Sequence, residues 1–256
     1  MITALCLTAF LASLLTFFSG FGLGTVLLPV FAIFFPLPIA ISLTAIVHFL
    51  NNLLKVTLVG SHARWDVLFK FGIPALIFSF AGALLMMFAT GFTWITQYSI
   101  GEYSFEITAI KLVIALVIIV FTWIELMPST KHIVIPSKYL PLGGALSGFF
   151  GGLSGHQGAL RSMFLASLNL SKEAFIGSGV VIALMIDVAR LTIYSGNLRE
   201  TNLQDHWLIL LAATASACIG TWIGNRYLKK ITMKGLQKIV AASLLIFAIA
   251  LGSGLI

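Results

Sequence analysis

The sequence predicts an all-α integral membrane protein, and three observations carry that reading. Charged residues make up 9% of the chain and hydrophobic ones 59%, whereas a soluble domain carries roughly 25% charged residues. Mean hydropathy is +1.08, and the apolar residues fall in runs of about 20, the length that one helical crossing needs. Runs such as 107–124 are apolar on every side instead of alternating with period two, which argues against a β-barrel.

Taken in order, the runs 38–59, 68–90, 107–127, 171–194, 206–227 and 234–255 are long enough to cross a bilayer. Two pairs of shorter runs, 2–18 with 24–35 and 140–153 with 158–169, are each divided by glycines. The first run lacks the basic start and small-residue cleavage site of a signal peptide, so it is read as part of the mature protein. Cys6 and Cys218 stand alone in apolar runs, which argues against a disulfide or a metal site. The chain has no GxxxxGK[ST] loop and so carries no ATP-hydrolysing module of that kind. Its net charge of +7 lies in short loops, where it orients the protein in lipid and does not call for nucleic acid. No cofactor is implied. The partners implied are the bilayer and a small ligand, with a homo-oligomer left open.

The loop charges predict a topology. Loop 60–70 holds Arg64 and Lys70, loop 127–139 holds Lys131 and Lys138, and loop 226–238 holds Arg226, Lys229, Lys230, Lys234 and Lys238. These face the cytoplasm by the positive-inside rule. Loop 91–106 holds Glu102 and Glu106 without a base, and 195–206 sets Arg199 against Glu200 and Asp205, so both face outside, as do the two termini. Gly60 and Gly196 close corresponding long helices, yet the first lies inside and the second outside. The halves, about 1–127 and 138–256 of a single transporter-like domain, are therefore expected to be inverted repeats. Their sequences agree: Asn52-Leu-Leu-Lys55 matches Asp187-Val-Ala-Arg190, and each half opens with a glycine-broken, re-entrant pair of short helices. Inverted repeats with broken helices are the construction of many secondary transporters, with the substrate near the midplane.

The chemistry concentrates in Gly151–Ser162, "GGLSGHQGALRS". A break in a membrane helix frees backbone groups, which is tolerated only inside protein or along a wet cavity. The helix restarting near Gly158 offers free N–H groups and a positive dipole end, both suited to an anion. Arg161, one turn in, adds a charge and a planar fork suited to oxyanions. Ser154, His156 and Gln157 can hydrogen-bond. Packing alone accounts for Gly143, Gly144 and Gly148, but a charge at membrane depth costs about 3 kcal/mol or more. The first break, "SGFGLGTVLLP", brings Gly20, Gly22 and Gly24 without a charge, with Ser19 and Thr25 as hydrogen-bonding groups. Thr44, His48, Asn52 and Lys55 share one helical face, and Gly179, Ala183, Asp187 and Arg190 share the matching face. Polar residues there escape lipid by turning inward. Lys55 and Arg190 also have the option of snorkelling to the interface. Asp187 is the deepest acid and the candidate proton-coupling carboxyl, with Arg190 as its neighbour.

With "SGFGLGTVLLPVF" and "SGFFGGLSGHQGALRSMFL" opening the two halves, the chain resembles the sulfite exporter TauE/SafE family, also known for toluene sulfonate uptake permeases. The resemblance covers the order of segments along essentially the whole chain. It implies transport of a sulfur-containing anion, such as sulfite or a sulfonate, across the bacterial cytoplasmic membrane. It fixes neither direction nor coupling. Ser154, His156 and Gln157 depart from the more glycine-rich run usual in that family. Two other classes remain at this stage. An intramembrane enzyme would use Ser154 and His156, which have no evident orienting acid in sequence. A non-transporting membrane subunit would give Arg161 no use.

Overall fold

The computed structural model describes residues 1–16, 22–91, 94–126, 135–200, 206–227 and 234–256. Ser19 and Gly20 of the first break lie outside the described residues, as do Lys131, Asp205, Lys229 and Lys230. The first half runs α1 (Ile2–Thr16), α2 (Leu23–Phe34), α3 (Leu37–Val59), α4 (Trp65–Thr90), a hairpin of β1 (Trp94–Ile100) and β2 (Tyr103–Thr108), and α5 (Ala109–Leu126). The second runs α6 (Leu140–Ser154), α7 (Gly158–Ala166), α8 (Lys172–Glu200), α9 (Trp207–Tyr227) and α10 (Lys234–Gly252).

Prolines and glycines set these boundaries. Pro36 caps α3 and ends α2, and a proline in the first turn starts α6. Within α4, a π-helical turn spans Leu68–Gly72 just before Pro74. The Pro74 ring would meet the carbonyl four residues back, at Lys70, and the wider turn gives it room. Gly155 ends α6 with φ of 82°, a left-handed conformation that disfavours any side chain.

Among the described residues, four helices are long and apolar enough to cross a membrane: Leu37–His62, Trp65–Thr90, Lys172–Ser195 and Trp207–Arg226. Two of the predicted long runs are shorter among the described residues, with apolar helices at Ala109–Ile124 and Ala241–Gly252. The all-α expectation needs one correction, because the predicted loop 91–106 is largely a two-stranded antiparallel hairpin. Ile107 and Thr108 belong to its second strand, so α5 starts later than the apolar run does. β-branched and aromatic residues flank Gly101, whose φ of 64° makes the tight turn. Tyr98 stacks on Phe105 across the strands, and its hydroxyl donates to the Ser253 carbonyl at 2.6 Å, tying the hairpin to the end of α10.

The polarity of the molecule is inside out relative to a soluble protein. Leu84, Phe88, Leu116, Trp123, Leu211, Ile246 and Ile249 are exposed, while Asp187, Arg190, Arg161 and Lys55 are buried. Lipid accepts the first set and penalises the second. The chain is a multi-pass membrane protein.

The helices pair as α1 with α9, α4 with α6, α3 with α8, and α5 with α10. Small residues make two of these contacts close. A Cβ on Gly144, Gly148 or Gly152 of α6 would lie about 2 Å from the carbonyl oxygens of Phe71, Ala75 and Ser79 on α4. A Cβ on Gly220 of α9 would lie 2.3 Å from the Phe10 carbonyl of α1. Small residues at four-residue spacing let two backbones meet where no water-driven force holds them together.

Candidate functional site

The second break occupies Gly155–Gln157 between α6 and α7. Its groups are held from several directions. Ser147 donates to the Gln157 carbonyl at 2.9 Å, and the Gln157 N–H donates to the Gly155 carbonyl at 3.0 Å. The Tyr194 hydroxyl donates to the Gly152 carbonyl, fixing the last turn of α6 on α8. The Ser154 hydroxyl donates to the Phe150 carbonyl and lies 3.1 Å from His156 Nδ1. Arg161 Nη1 donates to Gln157 Oε1 at 3.1 Å. Gly179 of α8 lies alongside this guanidinium, where a Cβ would be in ordinary contact with Nε at 3.5 Å.

Two helix starts open at this point. Among the described residues, no side-chain cap hydrogen bond is made at Gln157 for α7 or at Gly22 for α2, and the first-turn N–H groups of a helix have no partner within the helix itself. The two breaks approach each other: a Cβ on Gly24 would lie 3.7 Å from His48 Cδ2 and 3.8 Å from the Gly155 carbonyl. The cavity between them is lined by Gly22, Gly24, Thr25, His48, Phe121, Gly155, His156, Gln157, Gly158, Ala159 and Arg161. It leaves about 20 Å³ for the centre of a water molecule, room for about one water. Among the lining residues, His156 Nε2 and Gln157 Nε2 are buried with no hydrogen-bond partner among the described residues. Each such atom costs free energy unless something arrives to meet it.

Behind the cavity lies an ionic cluster joining α3 and α8. Asp187 Oδ2 is 2.7 Å from His48 Nδ1 and accepts from Asn52 Nδ2 at 3.0 Å. Its Oδ1 accepts from Arg190 Nε at 3.0 Å and lies 2.7 Å from Nη2. Gly155 lets this arginine close on the break, because a Cβ there would lie 2.7 Å from Nη1. The inward option therefore holds for both cations with a snorkelling alternative: Arg190 is 1% exposed and Lys55 is 6% exposed.

Of the residues singled out in the sequence, Arg161, His156, Gln157, Gly158, Gly24, Thr25 and His48 line one cavity. Asn52, Asp187 and Arg190 lie behind His48, and Ser154 lies behind His156. Phe121 of α5 was not singled out. It forms a wall of the cavity, its ring 6.3 Å from that of His156. An aromatic residue in an apolar helix gives no signal that separates this role from facing lipid. Among the described residues no cluster of His, Cys, Asp and Glu suits a metal ion.

The segment order and the paired breaks agree with a comparison against protein families, in which residues 5–251 match the family described as sulfite exporter TauE/SafE. The chain belongs to this family. It is a family of membrane transporters. Comparisons with curated proteins and with solved structures found no match. In this TauE/SafE member, the cavity shared by the two breaks gathers polar groups that lipid would penalise.

Proposed function

We propose that the protein is a secondary transporter that moves a small sulfur-containing oxyanion, sulfite or a small sulfonate, across the bacterial cytoplasmic membrane by alternating access. The observation that carries this reading is the cavity between the two helix breaks. It is lined by two uncapped helix starts, by Arg161 and by Gln157, whose amide Nε2 is a donor with no partner among the described residues. Every one of these favours an anion over a cation. Among the described residues, Lys55, Arg161 and Arg190 are buried against a single buried carboxylate, Asp187. A local excess of positive charge supports the same class of ligand. With room for about one water, the cavity must widen to admit sulfite and widen further for a sulfonate.

Arg161, His156, Gln157, Gly158, Ser154, Gly24, Thr25, His48 and Asn52 form the substrate site and its immediate support in this account. Asp187 and Arg190 form the coupling element. Inverted repeats support alternating access. With α1–α5 matched to α6–α10, the pair α1–α9 maps onto α6–α4, while α3–α8 and α5–α10 map onto themselves. That exchange is what a two-fold axis in the membrane plane produces. The apolar runs of α1 and α2, at 13 and 12 residues, reach about 18–20 Å, short of a hydrocarbon core of about 30 Å. These lengths support re-entry of the first short pair, and the loop charges support a topology with both termini and the hairpin outside.

The test is flux through purified protein in liposomes, with sulfite and methanesulfonate as probes. Saturable flux of one of them is expected. With Asp187→Asn, exchange should persist while accumulation against a gradient is lost. Absence of flux for both probes contradicts the transport reading, and unaltered accumulation in the variant removes Asp187 from coupling.

A further inference from the structure

We propose that His48 carries the coupling proton, taking it up at Nε2 together with the anion, while Asp187 stays ionised and fixes the imidazole tautomer. The inference rests on the anion-transport reading and names the group within that site that links anion to proton.

The geometry separates the two candidates for the proton. Asp187 is 0% exposed, and His48, Asn52 and Arg190 all direct donor-capable nitrogens at its oxygens. Both oxygens are thus occupied as acceptors, and a proton placed on either would displace a donor. An ionised carboxylate only accepts, so the His48 nitrogen 2.7 Å from Oδ2 carries a hydrogen. That leaves Nε2 as the basic nitrogen of the neutral ring. His48 lines the cavity and its side chain is 13% exposed. Its Cδ2, the carbon bonded to Nε2, is the atom that faces Gly24 across the cavity. The titratable edge of the ring therefore meets the contents of the cavity, and the carboxylate does not.

The charges around His48 supply the coupling. Its own helix α3 contributes Lys55, with Cys218 of α9 beside that lysine. Helix α8 contributes Asp187 and Arg190, and the second break and α7 contribute His156 and Arg161. Helices α2 and α5 bring Gly24, Thr25 and Phe121 to the cavity, none of them titratable. A proton alone on His48 adds a further positive charge to this set. An oxyanion entering beside Arg161 removes that opposition, and the imidazolium in turn attracts the oxyanion. Each occupant raises the affinity for the other, which is a reciprocal coupling free energy. In the step itself, the Nε2 lone pair accepts one proton from water-borne hydronium and the new N–H donates to an anion oxygen. Release on the other side returns the lone pair and frees proton and anion together. One proton accompanies one anion in the same direction.

The experiment is calorimetry of the purified full chain with methanesulfonate over a range of pH, in buffers of different ionisation enthalpy so that protons are counted. Methanesulfonate keeps its single charge across the neutral range, so any linkage belongs to the protein. Sulfite is the second probe, its own titration cancelling between wild type and variant. Wild type should take up about one proton per anion on the alkaline side of the imidazole titration, where affinity tightens about tenfold per unit fall in pH. His48→Gln cannot titrate, and its affinity should be weaker and independent of pH for methanesulfonate. Binding of neither probe by wild type overturns this inference and the transport reading together. Binding without proton uptake in wild type, or uptake that survives in His48→Gln, overturns the assignment to His48 alone. Uptake that survives in His48→Gln but is lost in Asp187→Asn places the proton on the carboxyl. If His48→Gln fails to fold, His48→Asn takes its place. The wild-type proton count still decides whether there is a proton to assign.

Discussion

Gly155 holds together two features that would otherwise conflict. It turns the chain out of α6 with φ of 82°, and its bare Cα admits Arg190 Nη1. Any side chain there meets a left-handed backbone penalty of roughly 1–2 kcal/mol and a collision with a guanidinium held on Asp187. Gly155→Ala should therefore lower the melting temperature of the purified protein by about 2–8 °C. An unchanged melting curve would mean that the break does not pack on Arg190 as described. The sequence already marks Asp187, Arg190, His48 and Asn52 as inward-facing, because lipid offers such groups no partner. It does not say which of them meet. That His48 and Asn52 share one carboxylate oxygen depends on how α3 and α8 cross, and no local pattern encodes that crossing.

At the scale of elements, the contact between α4 and α6 depends on the absence of side chains. The Ala75 carbonyl lies 2.0 Å from where a Cβ on Gly148 would sit. Adding one methyl there forces the two helices apart. Gly91, at the end of α4, has no atom nearer than 3.4 Å to the same construction. Gly148→Ala should thus sharply reduce the yield of folded, monodisperse protein in detergent, and Gly91→Ala should leave it close to wild type. Equal behaviour of the two would show that the helices are not in close contact. The glycines of α6 were legible as a packing face from their four-residue spacing. The hairpin does not stand out in the sequence, although β-branched and aromatic residues do flank Gly101-Glu102. A short local turn signal competes poorly with the long apolar runs on either side, and the boundary at Ala109 was missed with it.

At the scale of the whole molecule, the proposed arrangement is two inverted halves around one shared cavity. Loop positions give the first check. In a background without Cys6 and Cys218, a cysteine at Ser61 should be labelled only from the cytoplasm and one at Glu102 only from outside. Labelling of both from one side would contradict the inverted arrangement. The overall class, the breaks and the charge of the site follow from composition and motif, because lipid makes every polar residue informative. The walls of the cavity do not, since Phe121 comes from a helix with no polar mark. The central claim is that the two broken helices converge on an oxyanion site with Arg161 at its centre. Equilibrium binding of sulfite and methanesulfonate to wild type and to Arg161→Met tests it most directly. The account predicts that the variant loses a charge-assisted contact of roughly 1.5–3 kcal/mol, about ten- to a hundredfold in affinity. Equal affinity of the two proteins for both anions would contradict it.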